Sequence, residues 1–427
     1  MTTEPKTLRL ADYRRPDFTT DHIDLNFDIH ADHTDVTSKV TYKRADMGVG
    51  KTELILNAEN PNPKGKSYIK SVILNGWDMY EGENGYTFDE DKGELRIATD
   101  SDEDPLEVEI QTYLEPQNNF QLTGLYKSEN TFVTQCESES FRRITPFLDR
   151  PDVMAKYTVR IEAPKDLCPV LTANGNKTDS GDLKDGKHFA VYHDPFPKPS
   201  YLFCTANAPF ETLNDTYKTK SGRDVALTIY TEKGKTSQAH HAMEALKKSM
   251  TFDEDVFDCE YDLDNYGVVA VSKFTFGAME NKGLNVFKDR LVFADPDTAT
   301  DADYANIDRV IGHEYFHNYS GNRVTCANWF NLSLKEGLTV NREQMFTAHL
   351  TSKALDRIKT VQGLRGHQFP EDDSPLAHPV MPQEVQSVEN CYSGTIYEKG
   401  SEVIRMMKTM MGEDQFIAGV KHYFKQN

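Results

Sequence analysis

His313-Glu314-Tyr315-Phe316-His317 is the stretch around which the rest of the chain is arranged. On an α-helix, residues four apart lie one turn up the same face, so the two imidazoles can converge on one metal ion. Glu314, next to the first histidine, can then reach a water beside that ion. Glu336 follows, with eighteen residues between it and His317, inside Asn328-Trp329-Phe330-Asn331-Leu332-Ser333-Leu334-Lys335-Glu336-Gly337-Leu338-Thr339. Two histidines and a glutamate form a ligand shell suited to zinc, and three protein ligands leave a fourth position open to water. The plain alternative is a surface helix with two satisfied histidines. The downstream carboxylate, in an NWxNxxxxEG setting, disfavours it.

Working outward, Thr300-Asp301-Ala302-Asp303 reads as a capping box with Asp in the third place. It opens the metal helix, with Tyr304, Ile307 and Ile311 on one face. Upstream, 225–231 reads as a strand, and Ala239, Ala242, Met243, Leu246 and Met250 recur at helical spacing after Thr236-Ser237. The apolar run 268–271 is too short for a helix and reads as a buried strand. Residues 284–292 also have strand character. Downstream, the helical pattern continues through Met345, Leu350 and Leu355. The polar segment 363–382, with Glu371-Asp372-Asp373, reads as a loop. A last helix is expected over roughly 397–411 and another from Glu413.

The first half has a different period. Residues 22–29 alternate strictly, with Ile23, Leu25, Phe27 and Ile29 on one face, and 36–42 repeats the pattern with Val36, Val40 and Tyr42. Further short strands are expected at 53–56, 68–74, 94–97, 106–114, 131–135, 157–162 and 189–192. Turn signals such as Asn75-Gly76, Glu83-Asn84-Gly85 and Asn174-Gly175-Asn176 lie between them. The fold class is therefore multidomain: an all-β sandwich or saddle over 1–208, then an α+β domain over 209–427. No internal repeat is visible.

A chain of 427 residues is long enough for two or three domains, each with a sizeable core. The net charge of -20 and a sequence pI of 5.1 argue against nucleic acid or an anionic membrane as the main partner. No basic region followed by an apolar one opens the chain, and no run of about 18 apolar residues occurs. A cytoplasmic protein that neither crosses nor binds a membrane is the expectation. Six cysteines are scattered without a CxxC pair, the pattern of reduced thiols, and Cys136 and Cys391 read as buried fillers. His240, His241, His349, His367 and His378 lack partners at ligand spacing and read as solvated or core residues.

Three further motifs stand in order with the metal helix: Thr134-Gln135-Cys136-Glu137 followed by Phe141-Arg142-Arg143-Ile144, Gly277-Ala278-Met279-Glu280-Asn281, and Tyr397-Glu398-Lys399-Gly400. With them the chain resembles the M1 (gluzincin) zinc aminopeptidases, of the bacterial aminopeptidase N type. The resemblance implies an N-terminal β saddle followed by a thermolysin-like catalytic domain. It also implies one zinc ion per chain, held by His313, His317 and Glu336. Members of this type are roughly twice this length. The sequence stops at Gln426-Asn427 in a segment that still reads as helix, so a catalytic domain incomplete at its C-terminal end is expected.

The expected chemistry is hydrolysis of a peptide bond by water activated at the metal, with Glu314 as general base. By resemblance, the Tyr397 phenol supports the oxyanion. A free α-amine is mostly an ammonium at pH 7, so Glu280 first and Glu137 second are expected to select peptides by that charge. Gly277 and Ala278 would let substrate backbone lie alongside as an added strand. Met279 and Asn281 complete that segment, and Gln135 is expected in the same pocket. Glu343 reads equally as a residue that orients a ligand or as a solvent-facing carboxylate. The expected partner is a peptide with a free N-terminal amine, handled by a monomer.

Three other readings compete with this one. A thermolysin-type endopeptidase gives no reason for Glu280 and Glu137. The family's epoxide-hydrolysing branch usually departs from Ala at the position of Ala278. A catalytically silent fragment or scaffold is disfavoured because base, ligands and tyrosine are all present.

Overall fold

The alternation at 22–29 becomes one long strand, Phe18–Ile29, in a computed structural model that describes residues 7–46, 49–62 and 66–427. It pairs antiparallel with Thr34–Arg44 and parallel with Ala155–Pro164. These sit inside an eight-stranded sheet whose order is Asn176–Asp182, Lys187–Lys198, Ala155–Pro164, Phe18–Ile29, Thr34–Arg44, Leu106–Leu114, Ile69–Leu74, Trp77–Met79. Ile23, Leu25, Phe27, Ile29, Val36, Val40 and Tyr42 all face one core, where Leu54, Leu56 and Ile97 of a three-stranded sheet meet them. Each such side chain contributes about 2 kcal/mol by leaving water. A register slip of one residue would expose the whole set.

A four-stranded sheet, ordered Gly124–Ser128, Thr131–Gln135, Thr205–Ala208, Val170–Ala173, turns toward the second half of the chain. Its Tyr126, Val133 and Ala206 pack against Val269, Val271, Leu284 and Val286. That contact brings the segment after Gln135, and with it Glu137, up to the helices of the second half.

There the sheet order is Glu211–Lys218, Asp224–Thr231, Asn265–Val271, Leu284–Lys288, Ala278–Met279. The helices are α1 (His240–Phe257), α2 (Asp301–Phe316), α3 (Leu332–Leu350), α4 (Lys353–Gly363), α5 (Phe369–Asp372), α6 (Gly400–Met411) and α7 (Glu413–Gln426). Ala242 and Leu246 of α1 and Ile307 and Ile311 of α2 share a core with Val268 and Ala270. A buried cation sets the helices relative to one another. Arg342 of α3 donates from Nε to Asp253 Oδ1 of α1 at 2.7 Å, from Nη1 to the Gly312 carbonyl of α2 at 2.6 Å, and from Nη2 to Ser249 Oγ at 2.7 Å. Removing one partner of a buried pair of this kind costs about 3–5 kcal/mol.

Several local expectations need correction. Segment 363–382 is not all loop: Gly363 keeps right-handed helical angles, and the chain runs through a π-helical turn, Leu364–Gln368, into α5. Pro370 stands in the first turn of α5. The helix expected through Leu355 is interrupted after Leu350, because Ser352 accepts the Leu355 N–H and caps a new helix. Strand 284–292 ends at Lys288 and continues as a 3₁₀ turn. Tyr397 stands in a π-helical turn, Thr395–Lys399, ahead of the regular α6. Among the described residues no helix is long and apolar enough to cross a membrane, and all six cysteines are buried and unbridged.

Candidate active site

Helix α2 begins where the capping box specifies. The Thr300 hydroxyl accepts the Asp303 N–H at 3.3 Å, and Asp303 Oδ2 accepts the Thr300 N–H at 2.8 Å. His313 then falls in the last turn and His317 at the C-cap. Two close helix approaches complete the frame. A Cβ on Gly312 would lie 2.6 Å from Phe346 Cδ1, so α3 crosses α2 directly beneath His313. A Cβ on Gly337 would lie 2.9 Å from the Gly400 carbonyl carbon, so α3 and the start of α6 touch backbone to backbone. These glycines, one after Glu336 and one after Lys399, carry Tyr397 to α2 and α3.

His313 Nε2 and His317 Nε2 lie 3.1 Å apart, and Glu336 Oε2 lies 3.4 Å and 3.3 Å from them. Bonds of about 2.0 Å in a tetrahedron put ligand atoms about 3.3 Å apart, so this triangle has the edge lengths zinc requires. Each ring is turned the right way. His313 Nδ1 donates to Glu343 Oε2 at 2.9 Å, and His317 Nδ1 donates to the Ser320 carbonyl at 2.6 Å. Neither oxygen can donate, so each Nε2 keeps a lone pair for the centre of the triangle. Glu336 Oε2 is buried and makes no hydrogen bond. Burial works against charge on His313, yet Glu336, Glu343 and Glu314 pull its pKa well above the ordinary value. The site favours a cation, and its donor set fits zinc.

Glu343 is thus no solvent carboxylate: it is buried, and its other oxygen receives Arg309 Nη1 at 3.2 Å. Glu343→Gln should weaken zinc affinity by about 10- to 100-fold, read by competition with a chromophoric chelator. An unchanged affinity would remove Glu343 from metal orientation.

Glu314 is buried one residue from the triangle. Burial pushes its carboxyl up to about 7, while His313 and His317 draw it down. A divalent ion beside it would draw it further toward the ionised form. His313, Glu314, His317, Glu336 and Tyr397 line one cleft of 410 Å³ together with Glu137, Gly277, Ala278 and Glu280. Arg309, Glu343, Tyr392 and Glu398 line it as well.

The remaining motif residues do not reach the cleft. Ala278–Met279 is the edge strand, so alternate side chains take opposite sides: Ala278 borders the cleft and Met279 enters a core cluster. Asn281 is wholly buried, and its carbonyl accepts the Leu284 N–H at 3.0 Å, closing the turn into the next strand. Gln135 ends a strand whose five residues are all buried, and its Nε2 donates to the Glu137 carbonyl at 3.3 Å. It supports the wall from behind.

The sequence reading gave no role to Lys335. Its buried Nζ lies 2.5 Å from Glu137 Oε1 and 3.1 Å from Glu336 Oε1, and it also bonds Glu280 Oε1. Burial and the neighbouring Glu280 push the Glu137 carboxyl up to about 8. Glu280 is held below the ordinary range despite burial, chiefly by Lys335 and then His317. Glu137, Glu280 and Glu336 could by themselves hold a cation, but the Lys335 ammonium already stands among them. A group on the far β domain, His30, His33 and Asp35, has its two rings stacked 4.3 Å apart at 8°. In-plane lone pairs on parallel rings do not converge on one ion.

Two family profiles cover most of the sequence: the Peptidase M1 N-terminal domain over residues 19–202 and the Peptidase family M1 domain over 241–427. The chain belongs to peptidase family M1. This M1 chain is 48% identical over 417 residues to aminopeptidase N of Haemophilus influenzae, covering 97% of itself and 46% of that protein. It is 46% identical to aminopeptidase N of Escherichia coli K12, covering 100% of itself and 47% of the relative. The crystal structure of Legionella pneumophila aminopeptidase A in complex with aspartic acid superposes with a TM-score of 0.89 at 32% identity, over 99% of this chain and 47% of that one. The chain therefore spans about half the length of the relatives it matches.

Proposed function

We propose that the protein is a zinc-dependent aminopeptidase that removes the N-terminal residue from peptides. The observation that carries this reading is the coincidence, in one cleft, of a three-donor triangle with zinc edge lengths and a buried pair of carboxylates beside it. Zinc held by His313, His317 and Glu336 would supply a nucleophilic water near neutral pH and a positive contact for the carbonyl oxygen.

The chain's own residues do the rest. The substrate ammonium is held by Glu280 and Glu137, which fixes the first peptide bond beside the triangle. Glu314 takes a proton from the attacking water and passes it to the leaving amine. The Tyr397 phenol donates a hydrogen bond to the carbonyl oxygen as negative charge builds there. Substrate backbone lies along the edge strand at Gly277 and Ala278, whose small side chains leave room for it. An internal peptide bond brings no ammonium and would leave two carboxylates buried against an uncharged amide, which disfavours endopeptidase action.

The same reading divides the chain at 208/209, supported by the change of sheet between Thr205–Ala208 and Glu211–Lys218. It assigns the protein to the cytoplasm, a compartment that suits its six buried, unbridged thiols, and takes it to act as a monomer. The test is a panel of aminoacyl p-nitroanilides with and without a chelator. Cleavage should be lost on chelation and return on adding zinc. Cleavage that survives complete removal of metal would overturn the reading.

A further inference from the structure

The Tyr397 phenol can serve a carbonyl oxygen only while the turn that carries it stays in place, and that turn is an uncommon one. Thr395–Lys399 is a single π-helical turn, a rare form, and it leads straight into α6. The first N–H groups of a helical segment have no partner within it, and Gly394, ahead of the turn, has no side chain to cap them. One carboxylate from elsewhere takes them. Glu371 Oε2 accepts the Gly394 N–H at 3.2 Å, and Oε1 accepts the Thr395 N–H at 2.7 Å and the Thr395 hydroxyl at 2.6 Å. Thr395 is wholly buried, and its hydroxyl also receives Gln368 Nε2 at 3.5 Å. A negative charge at the start of a helix is favourable in itself.

Glu371 belongs to the acidic run 371–373, to which the reaction gives no task, and its three carboxylates differ. Asp372 Oδ2 pairs with Lys399 Nζ at 2.6 Å, but both side chains are partly exposed, where such a pair adds little. Asp373 is exposed and has no side-chain hydrogen bond or ion pair among the described residues. Further along the segment, His378 Nε2 meets Ser393 Oγ at 2.8 Å, and Ser393 borders the cleft. From the opposite side Ser333 of α3 donates to the Ile396 carbonyl at 2.8 Å, beside the contact of Gly337 with Gly400. The Tyr397 turn is thus held by α3, which carries Glu336, on one side and by Glu371 on the other.

We propose that Glu371 is a positioning residue for the reaction: by capping the turn at Gly394 and Thr395 it fixes Tyr397 at its distance from the metal triangle. The assignment rests on the aminopeptidase reading, which gives Tyr397 its task. Without the carboxylate, two N–H groups and a buried hydroxyl lose their acceptor, and the turn can rewind. Winding changed by one residue swings a side chain by about 100°. That takes the phenol off the carbonyl oxygen and leaves the triangle, Glu280 and Glu137 as they are.

Glu371→Ala should lower kcat on leucyl p-nitroanilide by about 10- to 100-fold, with KM unchanged and zinc still at one per chain. Glu371→Gln keeps the volume and one acceptor oxygen, so it should lose less. Asp373→Asn should match wild type. A double-mutant cycle with Tyr397→Phe separates positioning from general damage. With the phenol gone its position no longer matters, so in that background Glu371→Ala should change kcat by less than about threefold. A second readout needs no turnover. In protein labelled with fluorotyrosine, the fluorine resonance that Tyr397→Phe deletes should move or broaden in Glu371→Ala and stay in place in Asp373→Asn.

If Glu371→Ala fails to fold, Glu371→Gln carries both the cycle and the resonance. Equal loss of kcat in the two backgrounds, or a Tyr397 resonance that ignores the loss of the carboxylate, overturns the assignment and leaves Glu371 an ordinary element of the fold. A zinc-loaded Tyr397→Phe as fast as wild type overturns the task given to the phenol, and the positioning role falls with it.

Discussion

Glu314→Gln should lower kcat/KM on aminoacyl p-nitroanilides by about 10³- to 10⁴-fold, with zinc still at one per chain. Glutamine keeps the volume and burial of the side chain, so α2 and the His313, His317, Glu336 triangle stay as they are. It cannot accept a proton from water at neutral pH. The loss should appear in kcat rather than KM, because the missing proton transfer belongs to the transition state. Steady-state kinetics beside metal analysis of the same preparation checks both halves. A zinc-loaded variant within tenfold of wild type would take Glu314 out of the reaction.

Glu280→Gln should cost about a hundred- to a thousandfold in kcat/KM for substrates with a free amine. Truncating one partner of a buried, hydrogen-bonded charge pair costs about 2–5 kcal/mol, and each 1.4 kcal/mol is a factor of ten. Glu280 is the stronger candidate of the pair because Lys335 and His317 keep it ionised despite burial, whereas burial favours a proton on Glu137. Glu137→Gln should therefore cost less. If both variants kept wild-type KM for free-amine substrates, the amine would be recognised elsewhere.

That His313, His317 and Glu336 would meet was legible in the sequence, because helix geometry alone brings the two histidines together and one downstream carboxylate stood within reach. The eight-stranded sheet was legible where one face is buried and the other wet, as in Phe18–Ile29. Glu211–Lys218 was not seen because, as an edge strand with no fully buried residue, it carries no alternation to read. Segment 363–382 reads as a loop because it is polar, with the run Glu371-Asp372-Asp373, but the backbone at Gly363 stays right-handed helical and continues into Leu364–Gln368.

Within the site, motif membership and cleft exposure came apart. Met279 lies between two residues that face the cleft but points the other way, as strand alternation requires. Gln135 ends a buried strand whose continuation, not itself, reaches the substrate side. Lys335 was passed over although it adjoins Glu336. Neighbours on a helix point about 100° apart, and the partners that give this lysine its meaning lie 55 and 198 residues away. Glu343 left its role open in the sequence because two turns beyond Glu336 a carboxylate can face metal or solvent. The α2–α3 crossing at Gly312 turns it to His313.

The most direct measurement is product mapping by mass spectrometry on a decapeptide and its N-acetylated twin, incubated with the protein, with and without chelator. The expected result is stepwise loss of single residues from the free N-terminus, no reaction of the acetylated peptide, and none of either when metal is removed. Internal fragments, or release of residues from the acetylated peptide at a comparable rate, would contradict an aminopeptidase built on these residues.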